Sequence, residues 1–170
     1  MLFFLYPAKF PIARYNLAMS PARKFRVLFV CLGNACRSPM AEVIARKLAS
    51  DVMESSSAGL HPLGRVPEAT DDTLRANGYP AHGLTSKPLR RDAVDSADVI
   101  INMSGRPIDC LFGNARPVGN PRISQKVENW TVEDPYGEGP ATYQRILEEL
   151  ESRILLLAAR LRDKQRAANS

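Results

Sequence analysis

Cysteine is scarce in this 170-residue sequence, which contains only Cys31, Cys36 and Cys110. Three unevenly spaced thiols do not make the cross-linked framework of a small secreted domain. Histidine is scarcer still, and His61 and His82 form no zinc-ligand spacing with the cysteines. The expectation is a cytoplasmic, reduced protein that uses neither a metal nor another cofactor. Long apolar runs are also missing: Val27–Leu32 and Ile154–Ala159 are the longest, far short of the ~20 residues of a membrane span. The apolar start Met1–Tyr6 is shorter than the core of a signal peptide, and basic residues follow it instead of preceding it. No membrane association is expected. Acidic residues are absent from residues 1–24, where Lys9, Arg14, Arg23 and Lys24 account for most of the net charge of +5. A second basic cluster, Arg160, Arg162, Lys164 and Arg166, lies near the C-terminus, where cations suit a helix end. The positive excess therefore sits at the two ends, and no nucleic-acid partner is expected. Residues 1–24 are expected to be an extension outside the domain and a candidate for disorder, 25–162 the domain, and 163–170 a tail.

What is present is an ordinary globular composition, 45% hydrophobic and 24% charged, arranged as strands alternating with helices. Phe25–Val30 is short, apolar and rich in strand formers, as a parallel strand covered on both faces should be. Ser38 and Pro39 open a helix that runs to about Ser50, with Met40, Val43, Ile44 and Leu48 on one stripe. Val52–Ser57 reads as a second strand. Pro67–Asn77 reads as a second helix with Gly78 just beyond it. Ala97–Met103 reads as another buried strand and Ala115–Val118 as a short one. Tyr143, Ile146, Leu147, Leu150, Ile154, Leu157 and Leu161 recur every three or four residues, which predicts a long amphipathic helix against the sheet. This order implies right-handed crossovers and a parallel, doubly wound α/β sheet, whose ligands bind at the carboxyl ends of the strands.

One such end carries a concentration of chemistry. Cys31-Leu32-Gly33-Asn34-Ala35-Cys36-Arg37-Ser38 puts a cysteine at the end of a strand and an arginine six residues on, at the start of a helix. A short loop entering a helix N-terminus directs unpaired backbone N–H groups inward, and the helix dipole adds positive potential there. Gly33 and Asn34 tolerate the positive φ that a loop curled around an anion needs. Arg37 can take two oxyanion oxygens in a fork. The same field favours the thiolate of Cys31, making it a candidate nucleophile. The Ser38 hydroxyl can cap the helix or donate to the sulfur. Alone, Cys31 would read as a small core residue; the Cys-x5-Arg pair between strand and helix reverses that reading.

Cys31 through Glu42, Cys-Leu-Gly-Asn-Ala-Cys-Arg-Ser-Pro-Met-Ala-Glu, closely resembles the signature of the low-molecular-weight protein tyrosine phosphatases. Ser56-Ser57-Ala58-Gly59 and the downstream Asp134-Pro135-Tyr136-Gly137 match further habits of that family, and the resemblance covers about residues 25 to 160. It implies a four-stranded parallel sheet with helices on both faces, the phosphotyrosine phosphatase I-like fold. It implies a hydrolase that dephosphorylates phosphotyrosine proteins or small aryl phosphates through a thiophosphate intermediate. Cys31 would attack phosphorus in line. The amides of Leu32, Gly33, Asn34, Ala35 and Cys36, with Ser38 and Arg37, would hold the oxygens. Asp134 would protonate the leaving oxygen and then serve as base for water, with Pro135 fixing its backbone. Tyr136 would be either an aromatic wall for the substrate ring or an exposed loop tyrosine. Cys36 would be either a packed thiol or, as the family suggests, the partner of Cys31 in a reversible disulfide. Glu42 is expected to face solvent or bond to a neighbouring loop, and His61 and Trp130 to be structural or surface residues.

Departures from the family pattern keep an alternative open. Leu60-His61-Pro62-Leu63-Gly64 lacks the tryptophan that some members use as the second wall of a phosphotyrosine slot. The chain also resembles thiol-coupled arsenate reductases, in which a similar cysteine attacks arsenate and further cysteines relay the oxidation. The thioredoxin-dependent type resembles it around Thr85-Ser86 but places two relay cysteines after the strand matching Ala97–Met103. Here that region holds Cys110 alone, with Ser104 near the expected place of the first. A binding module without turnover is disfavoured because Cys31, Arg37 and Asp134 are all present.

Overall fold

A computed structural model describes residues 23–108 and 121–168. Strand β1 (Phe25–Cys31) lies between β2 (Met53–Gly59) and β3 (Val99–Asn102), and β4 (Val127–Asn129) pairs with the outer side of β3. All pairings are parallel, in the order β2-β1-β3-β4. Alternation along the strands divides the side chains between two cores. Val27, Phe29, Cys31 and Ile101 join one apolar cluster, and Leu28, Val30 and Ile100 join the other. Both strand faces must therefore be covered, as the unbroken apolar run predicts.

The larger core is closed by α1 (Arg37–Leu48), α2 (Glu68–Ala76) and the long α5 (Pro140–Ala168). Met40, Val43 and Ile44 of α1 and Ile146, Leu147, Leu150 and Ile154 of α5 are completely buried. Each contributes roughly 1.5–3 kcal/mol of apolar burial. The smaller core receives Val94 from α3 (Arg91–Ser96), Ile123 from α4 (Pro121–Ser124) and Ile108. The result is a four-stranded parallel sheet with helices on both faces.

The helix α2 follows Pro67 directly, and Gly78 beyond its end takes φ of +72°, as the stop signal requires. Two elements escape the sequence pattern: α3 is six residues long with only Val94 buried, and β4 is three residues with no fully buried position. The expected strand Ala115–Val118 lies outside the described residues, and β4 comes after it. The helix α5 continues to Ala168, past the boundary expected at residue 162. At the other end, Arg23 pairs with Asp98 at 2.7 Å, and its carbonyl accepts a bond from Gln165 at 3.0 Å. Among the described residues, no helix is long and apolar enough to cross a membrane. Since β1 passes to β2 on one side and β3 lies on its other side, the strand order reverses next to β1. A crevice opens at its carboxyl end.

Candidate active site

Cys31 ends β1, and the chain turns through Leu32–Cys36 before α1 begins at Arg37. Most of the loop carbonyls accept hydrogen bonds from flanking segments. Those of Cys31, Leu32 and Gly33 accept from Leu60, His61 and Leu63 at 3.2, 2.8 and 3.1 Å. Ser86 also donates to Gly33 at 3.0 Å, and Thr70 to Ala35 at 3.1 Å. In a trans peptide the N–H points opposite to the C=O, so carbonyls drawn outward leave the amides on the concave side. Asn34 turns the loop at φ of +45°, the one non-glycine positive φ among the described residues. Gly59 at the end of β2 backs this turn so closely that a Cβ there would lie 2.7 Å from the Asn34 nitrogen.

Arg37 is 7% exposed and spreads its guanidinium across three segments. Its Nη1 donates to the carbonyls of Met103 at 2.8 Å and Val132 at 3.1 Å, and its Nη2 pairs with Asp134 Oδ2. Its Nε is buried without a partner. An orphaned buried donor next to an amide cradle is a place for a ligand oxyanion. Asp134 is held from both sides, by Arg37 and by the N–H of Tyr136 at 3.3 Å to Oδ1. A cavity of about 210 Å³ is lined by Cys31, Cys36, Leu63, Asp134 and Tyr136, together with Leu32, Gly33, Ala35 and His61. A thiol, the residues of the loop and a carboxyl thus line one cavity, and the Arg37 guanidinium, which lines a neighbouring cavity, is tied to it through its pair with Asp134.

The residues singled out in the sequence take different places around this cavity. Asn34 and Ser38, expected to contact substrate, are fully buried and do not line the cavity. Asn34 Nδ2 donates to Ser38 Oγ at 2.9 Å and to Ser57 Oγ at 3.0 Å, and Ser38 Oγ lies 3.0 Å from Cys31 Sγ as its donor. Both residues therefore support the loop from behind. Of the two placements expected for Glu42 the structure shows the bond to a neighbouring loop, through Lys87: the residue is 6% exposed and also bonds to Ser57 of β2 and to Arg46. His61 lines the cavity while remaining exposed at the surface. Trp130 is structural, its ring 6.2 Å from that of Phe29. Tyr143, expected only as a core residue of α5, has its hydroxyl 3.5 Å from Cys36 Sγ. Burial pushes the Cys36 thiol up, against a smaller lowering by its bond to Tyr143, and Cys31 and Cys36 are both free thiols. Cys110 lies outside the described residues.

This fold and this site define a class: doubly wound proteins that hold a tetrahedral oxyanion against a cysteine at the carboxyl end of the first strand. The family model for low molecular weight phosphotyrosine protein phosphatase matches residues 26–167, and the chain belongs to that family. Its relatives carry two chemistries. The chain is 30% identical over 131 residues to arsenate reductase 1 of Bacillus cereus, covering 77% of this chain and 92% of that one. It is 36% identical over 129 residues to the low molecular weight protein-tyrosine-phosphatase YfkJ of Bacillus subtilis, covering 66% and 81%. Among solved structures, YwlE arginine phosphatase from Geobacillus stearothermophilus superposes with a TM-score of 0.71 at 27% identity, covering 84% of this chain and 96% of that one.

Proposed function

We propose that the protein is a cysteine-dependent phosphomonoester hydrolase whose substrates are aryl phosphates, phosphotyrosine in a protein foremost. The observation that carries this reading is Asp134 lining the same cavity as Cys31; a bound phosphate group that takes Arg37 frees the carboxyl from their pair. Ester hydrolysis needs an acid for a poor leaving oxygen, and a carboxyl facing the nucleophile supplies one.

In this mechanism the Cys31 thiolate attacks phosphorus in line while the loop amides and Arg37 take the equatorial oxygens. Asp134 gives its proton to the leaving phenolate, and the phospho group remains on sulfur. Asp134, now ionised, takes a proton from water as that water attacks phosphorus, and inorganic phosphate and the thiolate are released. Tyr136 and Leu63 flank the substrate ring in place of the missing tryptophan. The three cysteines and the lack of an apolar span favour a cytoplasmic site of action.

A second reading, arsenate reduction, is favoured by the 30% identity to the Bacillus cereus reductase. It needs a further thiol to take up the oxidation. Ser104 stands where the resemblance expects one of the relay cysteines, and Cys36 is buried against Tyr143 with its thiol pushed up. Both features weigh toward hydrolysis.

The leaving-group series tests the assignment. Asp134→Asn should slow hydrolysis of phenyl phosphate about 10²–10⁴-fold and that of an ester with a strongly acidic phenol much less. Equal slowing of both removes Asp134 from the acid role.

A further inference from the structure

The neighbouring cavity that Arg37 lines is the larger of the two, about 450 Å³, and shares no lining residue with the one that holds Cys31. It lies at the carboxyl ends of β3 and β4, between residues 103–107 and 130–132. That edge is where parallel sheets take ligands, and the volume is that of a small-molecule site. The proposed hydrolysis makes no use of it.

One buried side chain shapes the rim. Asn102 ends β3 at 4% exposure, and its amide is fully engaged. The Nδ2 hydrogens go to the Arg106 carbonyl and to Asn129 Oδ1, both at 2.8 Å. Oδ1 accepts from the Ser104 N–H at 3.0 Å and from the Ser104 hydroxyl at 2.6 Å. Ser104 Oγ in turn accepts from the Arg106 N–H at 3.1 Å, and Gly105 turns the chain at φ of +70°. A buried amide is tolerated when its donors and acceptor are bonded, and here every bond serves the turn or ties it to β4.

The turn leaves two donors at the cavity. Among the described residues the Arg106 guanidinium has no hydrogen-bond or ion-pair partner, whereas Arg153, Arg160 and Arg162 each have a carboxylate. Asn129 gives its Oδ1 to Asn102, and its Nδ2 has no partner among the described residues. Arg37 adds little, since both Nη1 hydrogens go to the carbonyls of Met103 and Val132 and its charge is paired with Asp134. No carboxylate lines the cavity, while Met103, Pro107, Trp130 and Val132 give it an apolar wall. Donors in that setting call for a negatively charged acceptor on an apolar body. One guanidinium and one amide match the two coplanar oxygens of a carboxylate. A phosphoryl group needs the fuller ring of donors that the Cys31 loop supplies.

We propose that this cavity binds a small organic acid, with its carboxylate on Arg106 and Asn129 and its apolar body against Trp130 and Pro107. The site is separate from the catalytic one and does not depend on the reaction proposed there.

Trp130 is the only tryptophan of the chain, so in isotope-labelled full-length protein its indole N–H gives a single resonance that reports on this cavity. Phenylacetate should move that resonance saturably, with a Kd of about 1–10 mM for a ligand of about ten non-hydrogen atoms. The backbone amides of Gly33 and Ala35 in the catalytic loop should stay in place over that range. Arg106→Gln should weaken binding about fivefold, the upper end for a solvent-facing ion pair. Arg106 is exposed and its side chain holds nothing, so the substitution leaves the fold intact. Phenylacetamide, which lacks the charge, should bind wild type at least as weakly as phenylacetate binds the variant. An indole resonance that stays still overturns the proposal. So does undiminished binding by Arg106→Gln or by phenylacetamide, or movement of Gly33 and Ala35 ahead of the indole.

Discussion

At the scale of single residues, the two cysteines of the loop, five positions apart and equally buried, have different hydroxyl partners. Cys31 receives the Ser38 hydroxyl at 3.0 Å, whereas Cys36 is buried against Tyr143 and its thiol is pushed up. Cys36→Ala should therefore retain turnover within a few-fold under reducing conditions, measured as kcat on an aryl phosphate. A loss comparable to that of Cys31→Ser would contradict the assignment of roles. The pair Cys31 and Arg37 was legible in the sequence because strand, loop and helix N-terminus follow one another within eight residues. The meeting of Glu42 with Ser57 and Lys87 was not, because they come from α1, β2 and the segment before α3, and no local spacing relates them. The donor role of Ser38 toward the Cys31 sulfur was legible in the loop, whereas the bonds of Asn34 to Ser38 and Ser57 were not, because a small polar residue in an anion cradle serves equally as its lining or its backing.

At the scale of elements, the carboxyl end of β2 acts as a template for the loop. Gly59 leaves no room for a methyl group, and Leu60, His61 and Leu63 beyond it hold the loop carbonyls outward. Gly59→Ala should destabilise the protein by about 1–3 kcal/mol by overpacking and lower kcat with it, as checked by denaturant unfolding and steady-state kinetics. A stable, fully active variant would show that the loop does not need this support. Asp98, just before β3, carries a second checkable contact. Burial pushes the Asp98 carboxyl up, but the Arg26 N–H and the Arg23 and Arg26 guanidinium groups outweigh it and hold it below its ordinary value of 3.8. A carboxyl depressed in the folded state binds fewer protons than in the unfolded chain, so it stabilises fully above that ordinary value. The contribution is lost as pH falls through the folded value. Asp98→Asn should thus cost about 0.2–1 kcal/mol at pH 7 and nothing below both values, as measured by unfolding across pH. Long periodic elements such as α5 were legible, while β4 and α3 were not. Three or six residues held by a neighbouring strand and a single buried side chain leave too little pattern to read.

At the scale of the whole molecule, the sheet order is what makes the chemistry possible. The reversal beside β1 leaves its end open, and Met103 after β3 together with Val132 and Asp134 after β4 reach Arg37 from the opposite side. The nucleophile and the carboxyl thus arrive from opposite ends of the sequence, 103 positions apart in this numbering. The alternation of strands and helices disclosed this architecture, but the meeting of Asp134 with Arg37 came only from the resemblance and from the structure. The central claim is that this convergence performs cysteine-dependent ester hydrolysis without an external reductant. The most direct measurement is steady-state hydrolysis of an aryl phosphate by wild type and by Cys31→Ser, with no thiol partner protein present. Turnover in the wild type, a loss of ~10⁵-fold or more in the variant, and phosphate binding retained by the variant are predicted. A folded, phosphate-binding wild type that shows no turnover would contradict the account and direct the next assay to arsenate with thioredoxin or a small thiol.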